Sequence, residues 1–159
     1  MKAFVTGGTG FVGTHLVKRL VNEGHDVTVL LHRTPPTALE GLRFRTCSGG
    51  VEDAGTLEES LKGAEVVFHL AGFVSIDPLD EPTLQRVNVQ GTANVVAACL
   101  NAGVRRLVHM SSIHALQSEP PDVVVDGDGP LSLAAHHHPY DRSKAMGQQA
   151  VLKGVEQGL

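Results

Sequence analysis

A doubly wound α/β domain, with a parallel sheet of order 3-2-1-4-5 and helices on both faces, is the fold this sequence predicts. Three observations predict it. Lys2 to Thr6 reads as a short buried strand that runs through glycines into a helix with Phe11, Leu16, Val17 and Leu20 at helical spacing. Val27 to Leu31 is a second apolar strand, which completes a βαβ unit of the expected length. Glu65 to Ala71 is a near-continuous apolar run, the pattern of a strand buried on both faces.

The first unit carries Gly7, Gly10 and Gly13 between its strand and its helix. In such a turn one glycine permits the tight bend and a second lets backbone approach a pyrophosphate. The third lets helix and strand pack closely. Amides at the helix start, at the positive end of its dipole, then hold phosphate. A glycine triplet alone also marks ordinary turns. Here its place between an apolar run and an amphipathic helix is the context that favours phosphate binding.

Glu23-Gly24-His25-Asp26 makes the turn into the second strand, which ends Leu31-His32-Arg33 without a carboxylate. Where NAD is bound, an acid about 20 residues beyond the glycines accepts from the adenosine ribose. Arg33, with His32, would instead pair with a 2′-phosphate, and a solvated basic loop is the alternative. Thr34-Pro35-Pro36 closes the element. Leu42 to Cys47 alternates weakly as a third strand, and Thr56 to Lys62 is a short helix stopped by Gly63.

Asp80-Glu81-Pro82 starts a helix that runs to about Asn101 and ends at Gly103. Leu84, Asn88, Gly91, Val95, Ala98 and Ala102 share one face of it. Gly91 would let the helix lie close to the sheet. Asn88 on that face needs partners, because a buried unpaired amide is expensive. It either braces neighbouring backbone or orients a catalytic group. Arg105 to Met110 is the next strand, with apolar Leu107, Val108 and Met110 as expected of a strand covered on both faces, and it leads to Ser111-Ser112-Ile113-His114. Residues 117–139, rich in Pro, Asp and Gly, read as a long surface loop. Its Asp126-Gly-Asp128-Gly lacks the further ligands of a calcium loop. His136-His137-His138 diverge in a loop, so a solvated loop is preferred to a metal site. Tyr140 begins the last helix, which reaches about Glu156.

The 159 residues suit one domain, 1–159, with a sizeable core. Apolar residues make up 42% and the formal net charge is -4, a balance that neither recruits nucleic acid nor demands disorder. No apolar run is long enough to cross a bilayer, and the N-terminus lacks a signal peptide's pattern. Cys47 and Cys99 form no metal or redox motif. The expectation is a cytoplasmic protein with a small-molecule substrate, no nucleic-acid or membrane partner, no metal, and homo-oligomerisation left open.

Tyr140 and Lys144 are four apart and so share a helical face. An ammonium near a phenol favours phenolate, making tyrosine a usable acid or base near neutrality. Ser112, at a strand end, is placed to hydrogen-bond a substrate oxygen. Thr6-Gly-Gly-Thr-Gly-Phe-Val-Gly13, His69-Leu-Ala-Gly72, Asn88-Val-Gln-Gly-Thr-Ala-Asn94, Ser111-Ser112 and Tyr140-x-x-Ser-Lys144 occur in one order. Together they resemble the extended short-chain dehydrogenase/reductase family, also called the NAD-dependent epimerase/dehydratase family. Ser111-Ser-Ile-His-Ala-Leu116 and the basic end of strand two resemble its dihydroflavonol reductase-like branch.

The resemblance implies a Rossmann-type fold in which Gly7, Gly10 and Gly13, with the Phe11 and Val12 amides, cradle the pyrophosphate. Leu70, Ala71 and Gly72 would line the dinucleotide cleft. Tyr140 would exchange a proton with the substrate oxygen during hydride transfer, while Lys144 holds the nicotinamide ribose and tunes the tyrosine. Ser112 would position the substrate oxygen, and Asn88 matches a supporting asparagine. Three departures qualify it. Gly50 stands where members often carry an adenine-binding aspartate, leaving backbone contacts from Val51. Leu31-His32-Arg33 favours NADP over NAD. Members also continue beyond the Tyr-Lys helix with strands and most of the substrate pocket, so the chain reads as their N-terminal cofactor-binding part.

Three functions follow: an NAD(P)-dependent reductase or dehydrogenase acting on a carbonyl or alcohol, a sugar-nucleotide epimerase or dehydratase, and a non-catalytic dinucleotide-binding sensor module. The first is the reading preferred, with NADP as cofactor ahead of NAD.

Overall fold

A computed structural model describes residues 1–118, 122 and 124–159. Five parallel strands lie in the order β3-β2-β1-β4-β5, as expected. They are β1 (Lys2–Thr6), β2 (Asp26–Leu31), β3 (Arg45–Ser48), β4 (Val66–His69) and β5 (Arg106–His109). The helices are α1 (Phe11–Asn22), α2 (Ala54–Ser60), α3 (Glu81–Leu84), α4 (Gly91–Ala102) and α5 (Pro139–Glu156).

β1 is central because both its faces are apolar. Phe4 turns to one face and packs with Leu57, Leu61, Val67, Val95 and Cys99 under α2 and α4. Ala3 and Val5 turn to the other and pack with Val17, Leu20, Val27 and Val29 under α1. Side chains alternate across a strand, so the three apolar residues Ala3, Phe4 and Val5 fill two cores at once.

Three sequence expectations need correction. The third strand is Arg45–Ser48 rather than Leu42–Cys47, since its register is set by pairing with β2, Thr28 opposite Arg45 through Leu31 opposite Ser48. The helix expected from Asp80 to Asn101 is not uniform: a π-helical stretch, Gln85–Gln90, separates α3 from α4. Gly91 consequently meets Val51, in the loop after β3, where an added Cβ would lie 2.5 Å from Val51 Cγ2.

The strand expected to be covered on both faces is also different. Leu107 packs against the core, but Val108 is 40% exposed and Met110 43%, and among the described residues β5 has a neighbour on one side only. The loop expected over 117–139 is pinned at its base by an antiparallel bridge between Leu116 and Leu131. Its residues 119–121 and 123 lie outside those described.

Candidate functional site

The C-terminal ends of the strands and the loops that follow them carry nearly every candidate residue. After β1 the chain turns at Gly7, whose φ of +70° is the left-handed conformation that glycine adopts freely. A Cβ on Gly7 would lie 2.6 Å from the Ala71 nitrogen, and one on Gly13 would lie 2.1 Å from the Gly7 carbonyl oxygen. Backbone is therefore folded on backbone, with Gly10 N donating to Gly7 O at 3.0 Å. Among the described residues no side chain caps the start of α1, and its first turn holds no acid, so its amides are left for an anion. This cradle fits a pyrophosphate.

Beside it opens a cleft of about 410 Å³ lined by Gly7, His32, Arg33, Val51, Ala71 and Gly72, all named from the sequence. Leu70 is not on that wall; its side chain packs into the core beneath α1, and its carbonyl lies against Gly7. Phe11 is 85% exposed at the helix start. Arg86, Thr83 and Glu52 also line the cleft and escaped the sequence reading.

Asn88 lies in the π-helical stretch, a local widening common at functional positions. Its Nδ2 donates to Phe73 O at 2.8 Å and to Ser143 Oγ at 3.0 Å, while Phe73 N donates to its Oδ1 at 2.8 Å. Asn88 thus braces the backbone after β4 and, through Ser143, the start of α5. Ser143 Oγ donates in turn to the Tyr140 carbonyl at 2.7 Å. Gly147 lets α5 come this close, since a Cβ there would lie 2.7 Å from Asn88 O.

Lys144 crosses from α5 to the end of β5, where its ammonium donates to Met110 O at 2.8 Å. Only 8% of the residue is exposed, and burial pulls its pKa below the usual lysine value. A Cβ on Gly72 would meet Asn88 Oδ1 at 3.4 Å and Lys144 Nζ at 3.9 Å. Lys144 and Asn88 therefore converge on the backbone that floors the glycine cleft.

A second pocket, of about 660 Å³, opens beyond β5. Ser112, His114 and Asp141 supply polar groups to walls that include Ile113, Leu116 and Val125. Ser112 Oγ accepts from His114 N at 3.2 Å, so its own proton is left to donate. His114 Nδ1 lies 3.0 Å from Asp141 Oδ1, and its ring stands edge-on to Tyr140 with centroids 5.6 Å apart. Of the three histidines at 136–138, His138 caps α5 by accepting from Tyr140 N at 3.2 Å. Proline at the first helical position then continues it.

A glycine cradle at a helix N-terminus, a cleft across the strand ends and a Tyr-Lys helix beside it define a dinucleotide-binding Rossmann-type protein. The sequence profile of the 3-beta hydroxysteroid dehydrogenase/isomerase family matches residues 4–158. The chain belongs to that family, within the short-chain dehydrogenase/reductase superfamily. A Synechocystis sp. homologue named dihydroflavonol 4-reductase is 34% identical over 98% of this chain and 45% of its own length. The human 3 beta-hydroxysteroid dehydrogenase type 7 is 35% identical over 94% of this chain and 43% of its own. Among solved structures, a short-chain dehydrogenase/reductase superfamily protein from Agrobacterium tumefaciens with bound NAD superposes at TM-score 0.81. It is 32% identical, over 95% of this chain and 44% of that one. The chain spans about half the length of the curated relatives it matches. No helix among the described residues is long and apolar enough to cross a membrane.

Proposed function

We propose that this chain holds the cofactor and the proton-handling residues of a nicotinamide-dependent oxidoreductase that interconverts a carbonyl and an alcohol, with NADP preferred. The observation that carries this reading is the convergence of Lys144 and Asn88 on Gly72, at the floor of the glycine cleft. Bound nicotinamide supplies or accepts the hydride. The chain's own groups do the rest. Tyr140 gives its phenolic proton to the substrate oxygen in reduction and takes it back in oxidation. Ser112 donates to the same oxygen and fixes its position. Lys144, held on Met110 O and partly desolvated, binds the nicotinamide ribose and favours the ionised phenol. Asn88 and Ser143 hold the turn from which Tyr140 projects.

Arg33 on the cleft wall, with no acid at the end of β2, supports NADP over NAD. The apolar share of the second pocket's wall supports a substrate whose carbonyl is attached to an apolar body. A sugar-nucleotide epimerase or dehydratase is the second reading. It is favoured by the likeness to the Bordetella bronchiseptica enzyme WbmG in complex with NAD and UDP, at TM-score 0.82 and 28% identity. The proposal extends to a cytoplasmic location and to self-association through the open edge of β5.

The deciding experiment is turnover of NADPH against a panel of apolar ketones and of nucleotide sugars. It uses a polypeptide that also carries the additional sequence found in the relatives. Ketone reduction supports the first reading. Sugar-nucleotide conversion with added oxidised NAD or NADP, and no net change in its redox state, supports the second, and binding without any turnover would favour a sensor.

A further inference from the structure

β2 runs out as Leu31-His32-Arg33, and Gly50, second in the loop after β3, has no side chain. A carboxylate from two residues further on fills the space between them. A Cβ built on Gly50 would lie 2.5 Å from Glu52 Oε2, 2.7 Å from its Cδ and 3.1 Å from Oε1, so the Glu52 carboxylate folds back over the Gly50 Cα. Glu52 Oε1 is also 3.9 Å from His32 Nε2. Glu52 and Arg33 both line the cleft beside Gly7. The Glu52 side chain keeps 30% of its surface, enough to meet a ligand while its field is only partly screened.

We propose that Glu52 is a cofactor-specificity determinant: from the loop after β3 it supplies the carboxylate that the end of β2 lacks, and opposes Arg33 in the choice between a 2′-hydroxyl and a 2′-phosphate. A hydroxyl can donate to a carboxylate. A phosphate near it meets like charge and finds only an acceptor. Arg33 has the reverse preference. One rim of the cleft thus holds both determinants, and the preference between cofactors is their balance. Gly50 is part of the device, since any side chain there must displace the carboxylate. This inference rests on the dinucleotide reading above.

Glu52→Gln keeps the size and removes the charge. Dissociation constants for NADPH and NADH, measured on the chain by calorimetry, should show NADPH tightened about three- to ten-fold and NADH unchanged or weakened. Added salt should shrink the difference between parent and variant. Gly50→Ala, which pushes the carboxylate aside, should move the ratio in the same direction. An unchanged ratio in Glu52→Gln, or equal tightening of both cofactors, would overturn the inference. If the parent chain favours NADH and Glu52→Gln reduces that preference, the inference stands and the NADP preference falls. If the parent chain binds neither, both fail.

Discussion

His69 and His109 are register partners on neighbouring strands, with ring centroids 5.2 Å apart, yet they have different surroundings. His69 Nδ1 shares a hydrogen bond with Thr6 Oγ1 at 2.8 Å and its Nε2 one with Thr92 Oγ1 at 3.0 Å. Both ring nitrogens of His109 are buried and have no partner among the described residues. β4 lies between β1 and β5, while β5 has one neighbour among the described residues. The contrast extends outward from the pair. Around β1 and the glycine turn, backbone packs on backbone and polar side chains are answered. Around β5, Val108, Met110 and Ile113 are open to solvent beside Ser112 and His114. The glycine-turn side of the molecule is therefore the more closely packed, and the β5 side the more open.

The strongest test of the open side is Tyr140→Phe. In a polypeptide that turns over, it should lower kcat by about a thousand-fold, the size of a lost general acid, while the dissociation constant for NADPH hardly moves. Removing the phenol deletes the proton donor and leaves the glycine cradle intact. Retention of most activity would transfer the role to His114, whose ring stands beside Tyr140.

On the closed side the matching test is Gly13→Ala. The added Cβ meets the Gly7 carbonyl oxygen at 2.1 Å and the Gly8 Cα at 2.7 Å, and neither can rotate away. Displacing this backbone should weaken both dinucleotides about a hundred-fold, the worth of one or two charge-assisted hydrogen bonds. It should also cost about 1–3 kcal/mol of stability by overpacking. Equal affinity in calorimetry would show that the turn is only a turn.

The closed side is also the one that was legible in the sequence. Lys2–Thr6 and its glycines announce themselves by local pattern, and the strand order follows from right-handed crossovers. The π-helical stretch was not legible, because one widened turn leaves the apolar positions near the spacings of an ordinary helix. Lys144 stood out in the sequence, but the Met110 carbonyl that it donates to is one that no side chain betrays. Glu52 escaped notice because its meeting with His32 joins positions twenty residues apart through the pairing of β2 with β3. What pattern cannot carry is proximity created by the sheet.

Arg33→Ala sharpens the comparison within the cleft. Loss of a cation facing a phosphate should weaken NADPH about ten-fold and NADH less than about two-fold. Equal losses would mean that Arg33 merely contributes general positive potential, and tighter binding of NADH by the unchanged chain would remove the NADP preference itself.

The histidine pair bears on stability rather than on binding, and its smallest expected effect, that of His109, separates its members. Burial, reinforced by the neighbouring His109 and by Lys144, holds the His69 pKa down at about 3. Burial and Lys144 hold that of His109 at about 4. Both rings are neutral in the fold above those values, whereas in the unfolded chain a histidine takes up a proton near pH 6.5. Above that pH neither state binds the extra proton, so neither histidine makes stability depend on pH. As pH falls from about 6.5 towards about 4, the unfolded chain binds protons that the fold refuses, and each histidine then costs up to about 1.4 kcal/mol per pH unit. Replacing His69 with Leu should remove its share of this acid sensitivity but leave the Thr6 and Thr92 hydroxyls short of a partner, for a net loss of about 1–3 kcal/mol at pH 7.5. Replacing His109 with Leu strands nothing and removes two unpartnered nitrogens. It should leave stability at pH 7.5 unchanged or raised by about 1 kcal/mol, and flatten the decline below pH 6.5. Urea unfolding of both variants at pH 7.5 and 5 measures all four quantities. A loss for His109→Leu as large as that for His69→Leu would mean that the outer ring is answered after all, and the contrast between the two sides of the sheet would not hold.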